Sequence, residues 1–273
     1  MNEKASRPIG VFDSGLGGLT VVKMLLQRLP HENIIYFGDT ARVPYGDRSK
    51  QTIIQYAKDD IDFLLTHDVK AICIACNTAD SMARLQMEAE FDVPIIGAVG
   101  PAARKAVKST KSKRIGVIGT SATVRSGAYP AVIEKLDPTC RVIQQACPLL
   151  VPLVEAGRFH RGDVVVETVL RDYLLPLMEE EIDTIILGCT HYPLLYDIVA
   201  DLLPEAALIC SGFASVDFLR DKLAETGTLN PQKGTGSHRF FVTDAPERFA
   251  KHGSLFLQTP VLDVCEKVTL GGC

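Results

Sequence analysis

Short apolar runs rich in Ile and Val alternate with helical stripes along almost the whole chain, and this alternation limits the fold more than any other feature. The runs fall at 9–12, 33–37, 69–75, 94–97, 114–119, 141–145, 184–188 and 207–210. They are apolar at consecutive rather than alternate positions, as expected of strands covered on both faces of a parallel sheet. Between them, apolar residues recur at helical spacing. Ile53, Ile54, Ala57, Ile61, Leu64 and Leu65 fall on one helix face within 50–67. Residues 161–181 read as another helix, with Asp163 as N-cap and Pro176 expected to kink it or end it early. Strands alternating with helices imply βαβ units with right-handed crossovers, an α/β fold of mainly parallel sheets flanked by helices. At 273 residues the chain makes one large domain or two small ones. Its 47% hydrophobic and 23% charged content fits a folded chain rather than disorder.

The net charge of −4 carries no electrostatic footprint for nucleic acid. The one basic cluster, Lys105, Lys108, Lys111, Lys113 and Arg114, reads as a solvated connection before a strand. No apolar run approaches the ~18 residues of a membrane span. The opening MNEKASRPIG lacks the apolar stretch of a secretory signal. The expectation is a cytoplasmic protein whose eight cysteines are free, reduced thiols.

The chain echoes itself. Ile9-Gly10-Val11-Phe12 and Ile115-Gly116-Val117-Ile118 each open a unit and lead into small-residue turns, Asp13-Ser14-Gly15 and Gly119-Thr120-Ser121. Later in each unit an apolar strand ends in cysteine, at Cys76-Asn77-Thr78 and at Cys189-Thr190-His191. Ligands of open α/β sheets bind beyond the carboxyl ends of the strands. Two similar halves face to face would therefore put Cys76 and Cys189 on opposite sides of one cleft. Residues 227–237 are a loop by composition, and the strand-like 239–242 and helix-like 245–252 are expected to complete one of the halves.

Other motifs are weaker. Cys73 and Cys76 form a CxxC, but no second pair exists to complete a zinc site. Residues three apart in a strand point to opposite faces, so Cys73 is expected in the core and Cys76 at the loop. Asp13-Ser14-Gly15-Leu16-Gly17-Gly18 precedes a helix at 19–29 and resembles a dinucleotide fingerprint, which would make the protein a nucleotide-binding oxidoreductase. Thr20 stands where the third glycine belongs, and Asp13 would face a pyrophosphate. The turn is read instead as backbone N–H groups suited to one carboxylate.

A free thiol needs a neighbouring base to become a useful nucleophile or base. His191 stands two residues beyond Cys189, and Asp13 could serve Cys76 if the first strand lies beside the third. A symmetric thiol pair suggests proton traffic on both faces of one carbon, one sulfur removing a proton and the other returning one. The negative charge that develops must be held by preorganised donors. Asn77, Thr78, Thr190 and the turn amides are of the right type.

At these residues the chain resembles the PLP-independent glutamate racemases of the aspartate/glutamate racemase superfamily. The matching segments are DSGLGGLTV (13–21), DTARVPYGDRS (39–49), ACNTA (75–79), GTSATVRSGAY (119–129), LVPLVEAG (150–157) and GCTHYPLL (188–195), in family order over most of the chain. The resemblance implies two similar α/β domains, 1–98 with 212–273 and 99–211, with the active site between them. It implies L-/D-glutamate as substrate, supply of D-glutamate for peptidoglycan, no PLP or metal, and a homodimer of the kind many members form. Cys76 matches the acid/base thiol of the D face and Cys189 that of the L face. Asp13 and His191 match the auxiliary groups beside them, and Glu155 the acid that supports the histidine. Asp13, Ser14, Tyr45, Gly46, Asn77, Thr78, Thr190 and His191 match the substrate-binding positions. The related aspartate racemases tend to carry Glu where His191 stands, so His191 favours glutamate over aspartate. Two positions depart from the pattern. Asp80 stands where many members have Ser, and Cys210-Ser211-Gly212 replaces a D-S-G triplet.

Overall fold

A computed structural model describes residues 3–257 and 265–270. The expected alternation is present from the first strand. β1 (Ile9–Asp13), α1 (Leu19–Arg28), β2 (Ile34–Gly38), α2 (Lys50–Leu65), β3 (Ala71–Ile74), α3 (Asn77–Glu90) and β4 (Ile95–Ile96) make up one run of the chain. Then come α4 (Val99–Ser109), β5 (Arg114–Gly119), α5 (Ser121–Ser126), α6 (Ala128–Leu136), β6 (Arg141–Ala146), α7 (Leu150–Glu155) and α8 (Val164–Glu179). The remainder is β7 (Thr184–Gly188), α9 (Tyr196–Leu202), β8 (Ala207–Cys210), α10 (Ser211–Glu225), β9 (His238–Val242), α11 (Pro246–Leu257) and β10 (Cys265–Lys267).

The strands form two sheets, β10-β9-β2-β1-β3-β4 and β6-β5-β7-β8, in which every pairing is parallel. Every residue of β1, β3 and β7 is buried, which is why these runs are apolar without alternation. Within the sheets, β2-β1-β3-β4 corresponds position for position to β6-β5-β7-β8. The echo in the sequence is thus a repeated topology, with β1 and β5 at its centre. β9 and β10 extend the first sheet beyond β2, so the late segment does complete one half. β10, three largely exposed residues, has no apolar run to announce it.

Pro176 neither ends α8 nor shortens it. The helix buries Val166, Leu170, Leu174 and Leu177 along one stripe, while Pro176 lies on the exposed side. The buried stripe runs on to Leu177, past the proline, so packing of that face holds the helix through it.

The chain passes from the first sheet to the second through α4 and returns through α10. Both passages are fastened. Asp80 is buried on α3, and its Oδ2 accepts from the Val99 N–H at 2.6 Å. It stands in the first turn of its own helix and also caps the next one, α4. Burial pushes the Asp80 carboxyl up to about 6, against the pull of Arg84 and the α4 N–H groups. Ser215 Oγ of α10 donates to Gly97 O at 3.1 Å on the same passage.

Candidate active site

The carboxyl ends of β1, β3, β5 and β7 converge on a cavity of about 320 Å³, within the size range of small-ligand sites. Ser14, Tyr45, Gly46, Cys76, Asn77 and Thr78 line it from the first sheet. Glu155, Cys189, Thr190 and His191 line it from the second. Asp13 lies fully buried at the end of β1, behind Ser14. Every residue singled out from the sequence is thus gathered at one place, and Cys73 is enclosed in the core of β3.

The two thiols have opposite electrostatic surroundings. Cys189 Sγ lies 3.8 Å from His191 Nδ1, and His191 Nε2 lies 3.1 Å from Glu155 Oε1. Burial alone would lower the histidine, but the Cys189 sulfur and the Glu155 carboxylate outweigh it and raise His191 to about 10. At neutral pH the ring is an imidazolium with both N–H groups as donors. Its edge packs at 88° against Phe256 of α11, centroids 5.4 Å apart. The hydrogen bond to His191 in turn draws the Glu155 carboxyl below its usual range.

Cys76 faces a carboxylate instead. β1 pairs directly with β3, which brings Asp13 beside it. Burial first, and then the Asp13 charge, push Cys76 up to about 12, so it rests as a thiol. Its sulfur lies 3.8 Å from Ser14 Oγ. Burial also raises Asp13, opposed by the His191 charge, by the Gly15 and Gly18 N–H groups and by Thr190. Gly15 N–H donates to Asp13 Oδ2 at 3.0 Å, and Thr190 Oγ1 donates to Asp13 Oδ1 at 3.3 Å from the opposite half. The glycine turn does hold one carboxylate, but it is that of Asp13.

Why Gly17 and Gly18 lack side chains also becomes plain. A Cβ on Gly17 would overlap Thr190 Oγ1 and come within 2.5 Å of His191 Nδ1. A Cβ on Gly18 would lie 2.5 Å from Asp13 Cβ and 2.7 Å from the Tyr36 hydroxyl. Gly17 lets the second half press against the first, and Gly18 lets the start of α1 lie close to β1 and β2.

Tyr45 turns its hydroxyl away from the cavity, donating to Asp39 at 2.5 Å, with Asp60 at 3.1 Å. Arg42 ties Asp39, Asp59 and Asp60 together, so this network holds the 43–47 loop in place. Thr78 Oγ1 meets Thr120 Oγ1 at 2.9 Å and Thr123 Oγ1 at 3.3 Å across the cleft.

Thr120, Ser121, Cys147, Pro148, Val151 and Pro152 also line the cavity without having been singled out. Thr120 and Ser121 had a signal, since their turn is the counterpart of Asp13-Ser14 in the internal echo. Cys147 simply follows β6 and had none.

Residues 9–219 match the family model described as Asp/Glu/Hydantoin racemase, and the chain belongs to that family. Within it, the chain is 46% identical over 257 residues to a glutamate racemase from Syntrophus aciditrophicus, covering 94% of each chain. It is similar to the structure of glutamate racemase from Francisella tularensis in complex with D-glutamate, with 40% identity, a TM-score of 0.90 and 98% and 99% of the two chains covered. It is also similar to a glutamate racemase isoform from Bacillus anthracis, at 36% identity and a TM-score of 0.91 over 97% and 98% of the chains.

Proposed function

We propose that the protein is a glutamate racemase that interconverts L- and D-glutamate by two-base proton transfer without PLP. The observation that carries this reading is one cavity lined by two thiols from different halves, Cys76 and Cys189, each beside its own ionisable partner. In the L-to-D direction Cys189 takes the Cα proton, with His191 beside it, and the Cys76 thiol delivers a proton to the opposite face. The D-to-L direction reverses both transfers. Asn77, Thr78, Thr190 and Ser14 supply donors for the substrate's carboxylates and for the charge that develops on the substrate between the two transfers. We take residues 1–98 with 212–273 as one domain and 99–211 as the other, a division supported by the separate sheets. The reading places the enzyme in the cytoplasm as a source of D-glutamate for peptidoglycan, in a homodimer as the resemblance implies. Among the described residues no helix is long and apolar enough to cross a membrane.

The test is to incubate the purified protein with L-glutamate or L-aspartate, without PLP, and follow the optical signal. L-Glutamate is expected to decay to a racemic mixture at least about 100-fold faster than L-aspartate, a margin within the reach of site specificity. Faster decay of aspartate would make the protein an aspartate racemase. No decay of either would refute the reading.

The His191–Glu155 pair gives a pH prediction. Above about 10 the imidazolium is lost, and kcat/KM is expected to fall there. The substrate ammonium also ionises in the alkaline range, so the informative quantity is a shift. Glu155→Gln removes a group that raises His191 and is expected to move the alkaline limb down by about one unit. An unmoved limb would separate Glu155 from the histidine's ionisation.

A further inference from the structure

Among the described residues lining the cavity, Asn77 carries the one side-chain amide, and both ends of that amide are engaged by buried groups. Tyr129 of α6, fully buried, donates its hydroxyl to Asn77 Oδ1 at 2.6 Å. Asn77 Nδ2 donates to Ser211 Oγ at 3.0 Å. Ser211, the first residue of α10, donates to Leu187 O on β7 at 3.0 Å.

The direction of this relay is set at its far end. A backbone carbonyl can only accept, so Ser211 must donate to Leu187 O. The Ser211 oxygen is then the acceptor for Asn77, which puts Nδ2 on that side and Oδ1 toward Tyr129. With the amide reversed, the buried Tyr129 hydroxyl would face an N–H group and lose its acceptor, an expensive loss in a dry interior. The relay therefore selects one of the two amide orientations and leaves one Nδ2–H uncommitted on a residue that faces the cavity.

We propose that Tyr129 and Ser211 are positioning residues that lock Asn77 as a fixed hydrogen-bond donor for a carboxylate of the substrate. The racemase reading supplies the substrate; the lock itself rests on the relay. Both partners lie outside the cavity lining. Tyr129 belongs to the second half and Ser211 opens the return passage, so the amide of the first half is oriented from across the cleft.

Tyr129→Phe removes the donor that holds Oδ1 and frees the amide to turn. KM for both enantiomers is expected to rise about 3- to 10-fold, the weight of one net hydrogen bond. The change in kcat should stay within about twofold, since the same carboxylate is held before and during proton transfer. Ser211→Ala should behave alike and serves if the first variant does not fold. Asn77→Asp, which replaces the donor by an acceptor, tests the orientation by sign. A donor facing a carboxylate predicts a KM at least about 100-fold higher. An unchanged or lower KM would mean that Asn77 presents its oxygen to the substrate ammonium, and would overturn the proposal. So would a lower melting temperature with unmoved KM in both Tyr129→Phe and Ser211→Ala, the signature of a purely structural role. An inactive wild type would instead overturn the racemase reading, and glutamate affinity measured calorimetrically on the same variants would still decide the orientation.

Discussion

Cys76→Ala is expected to lower racemisation of both enantiomers by at least about 10³-fold, and Cys189→Ala to do the same, within the range of a lost general acid or base. Each passage from one enantiomer to the other needs a base on one face and an acid on the other. The sulfur that takes the proton in one direction returns it in the reverse direction, so deleting either one stops both. The effects on the two directions must also match, because enantiomers have equal free energy and kcat/KM is the same for each. Cys76 and Cys189 line the cavity wall, and their sulfurs make only long contacts, to Ser14 and His191 at 3.8 Å, so the variants should remain folded. Cys73→Ala is the control. Its sulfur lies in the core of β3, away from the cavity, and turnover of the folded variant should stay within about twofold of wild type. Near-normal turnover in either Cys76→Ala or Cys189→Ala would contradict the two-base scheme.

Gly17→Ala is expected to reduce kcat/KM by at least about 10²-fold, as displacement of an acid–base group by an ångström can do. The added methyl enters space already filled by Thr190 Oγ1 and His191 Nδ1. The backbone cannot easily yield, because the Gly17 carbonyl accepts from both the N–H and the hydroxyl of Thr20 at the start of α1. The Thr20 hydroxyl is also bonded to Thr190 O at 2.8 Å. The displaced group is therefore His191 or Thr190, and with it the contacts to Cys189 and Asp13. Overpacking also lowers the melting temperature by several degrees. Kinetics of the folded variant close to wild type would show that the close approach of the halves is not needed for turnover.

The course of the strands was legible because burial on both faces leaves an uninterrupted apolar run, as at 114–119 and 184–188, which match β5 and β7 residue for residue. The placement of Cys76 and Cys189 was legible for a related reason: both follow such a run, and a parallel sheet sends all its strand ends to one edge. What could not be read were contacts made over long separations. Gly17 and Gly18 looked like a ligand-binding turn, yet their bareness answers to Thr190, His191 and Tyr36. Tyr45 was marked by the resemblance alone, and nothing in the sequence showed that its hydroxyl is held by Asp39 and Asp60. Asp80 stood out only as a departure from the family pattern, and its bond to the N-terminus of α4 could not be read. Pro176 did not end α8, whose buried stripe continues through it to Leu177.

In the two-base scheme, two sulfurs on opposite faces of one carbon exchange its proton. The direct measurement is the isotope content at Cα in the first percent of racemisation of protiated L-glutamate in D₂O. The D-glutamate formed is expected to carry deuterium in nearly every molecule, because the Cys76 thiol has exchanged with solvent, while recovered L-glutamate remains protiated. D-Glutamate that keeps the original hydrogen, or L-glutamate that gains label as fast as product forms, would mean that a single base serves both faces, and would contradict that scheme.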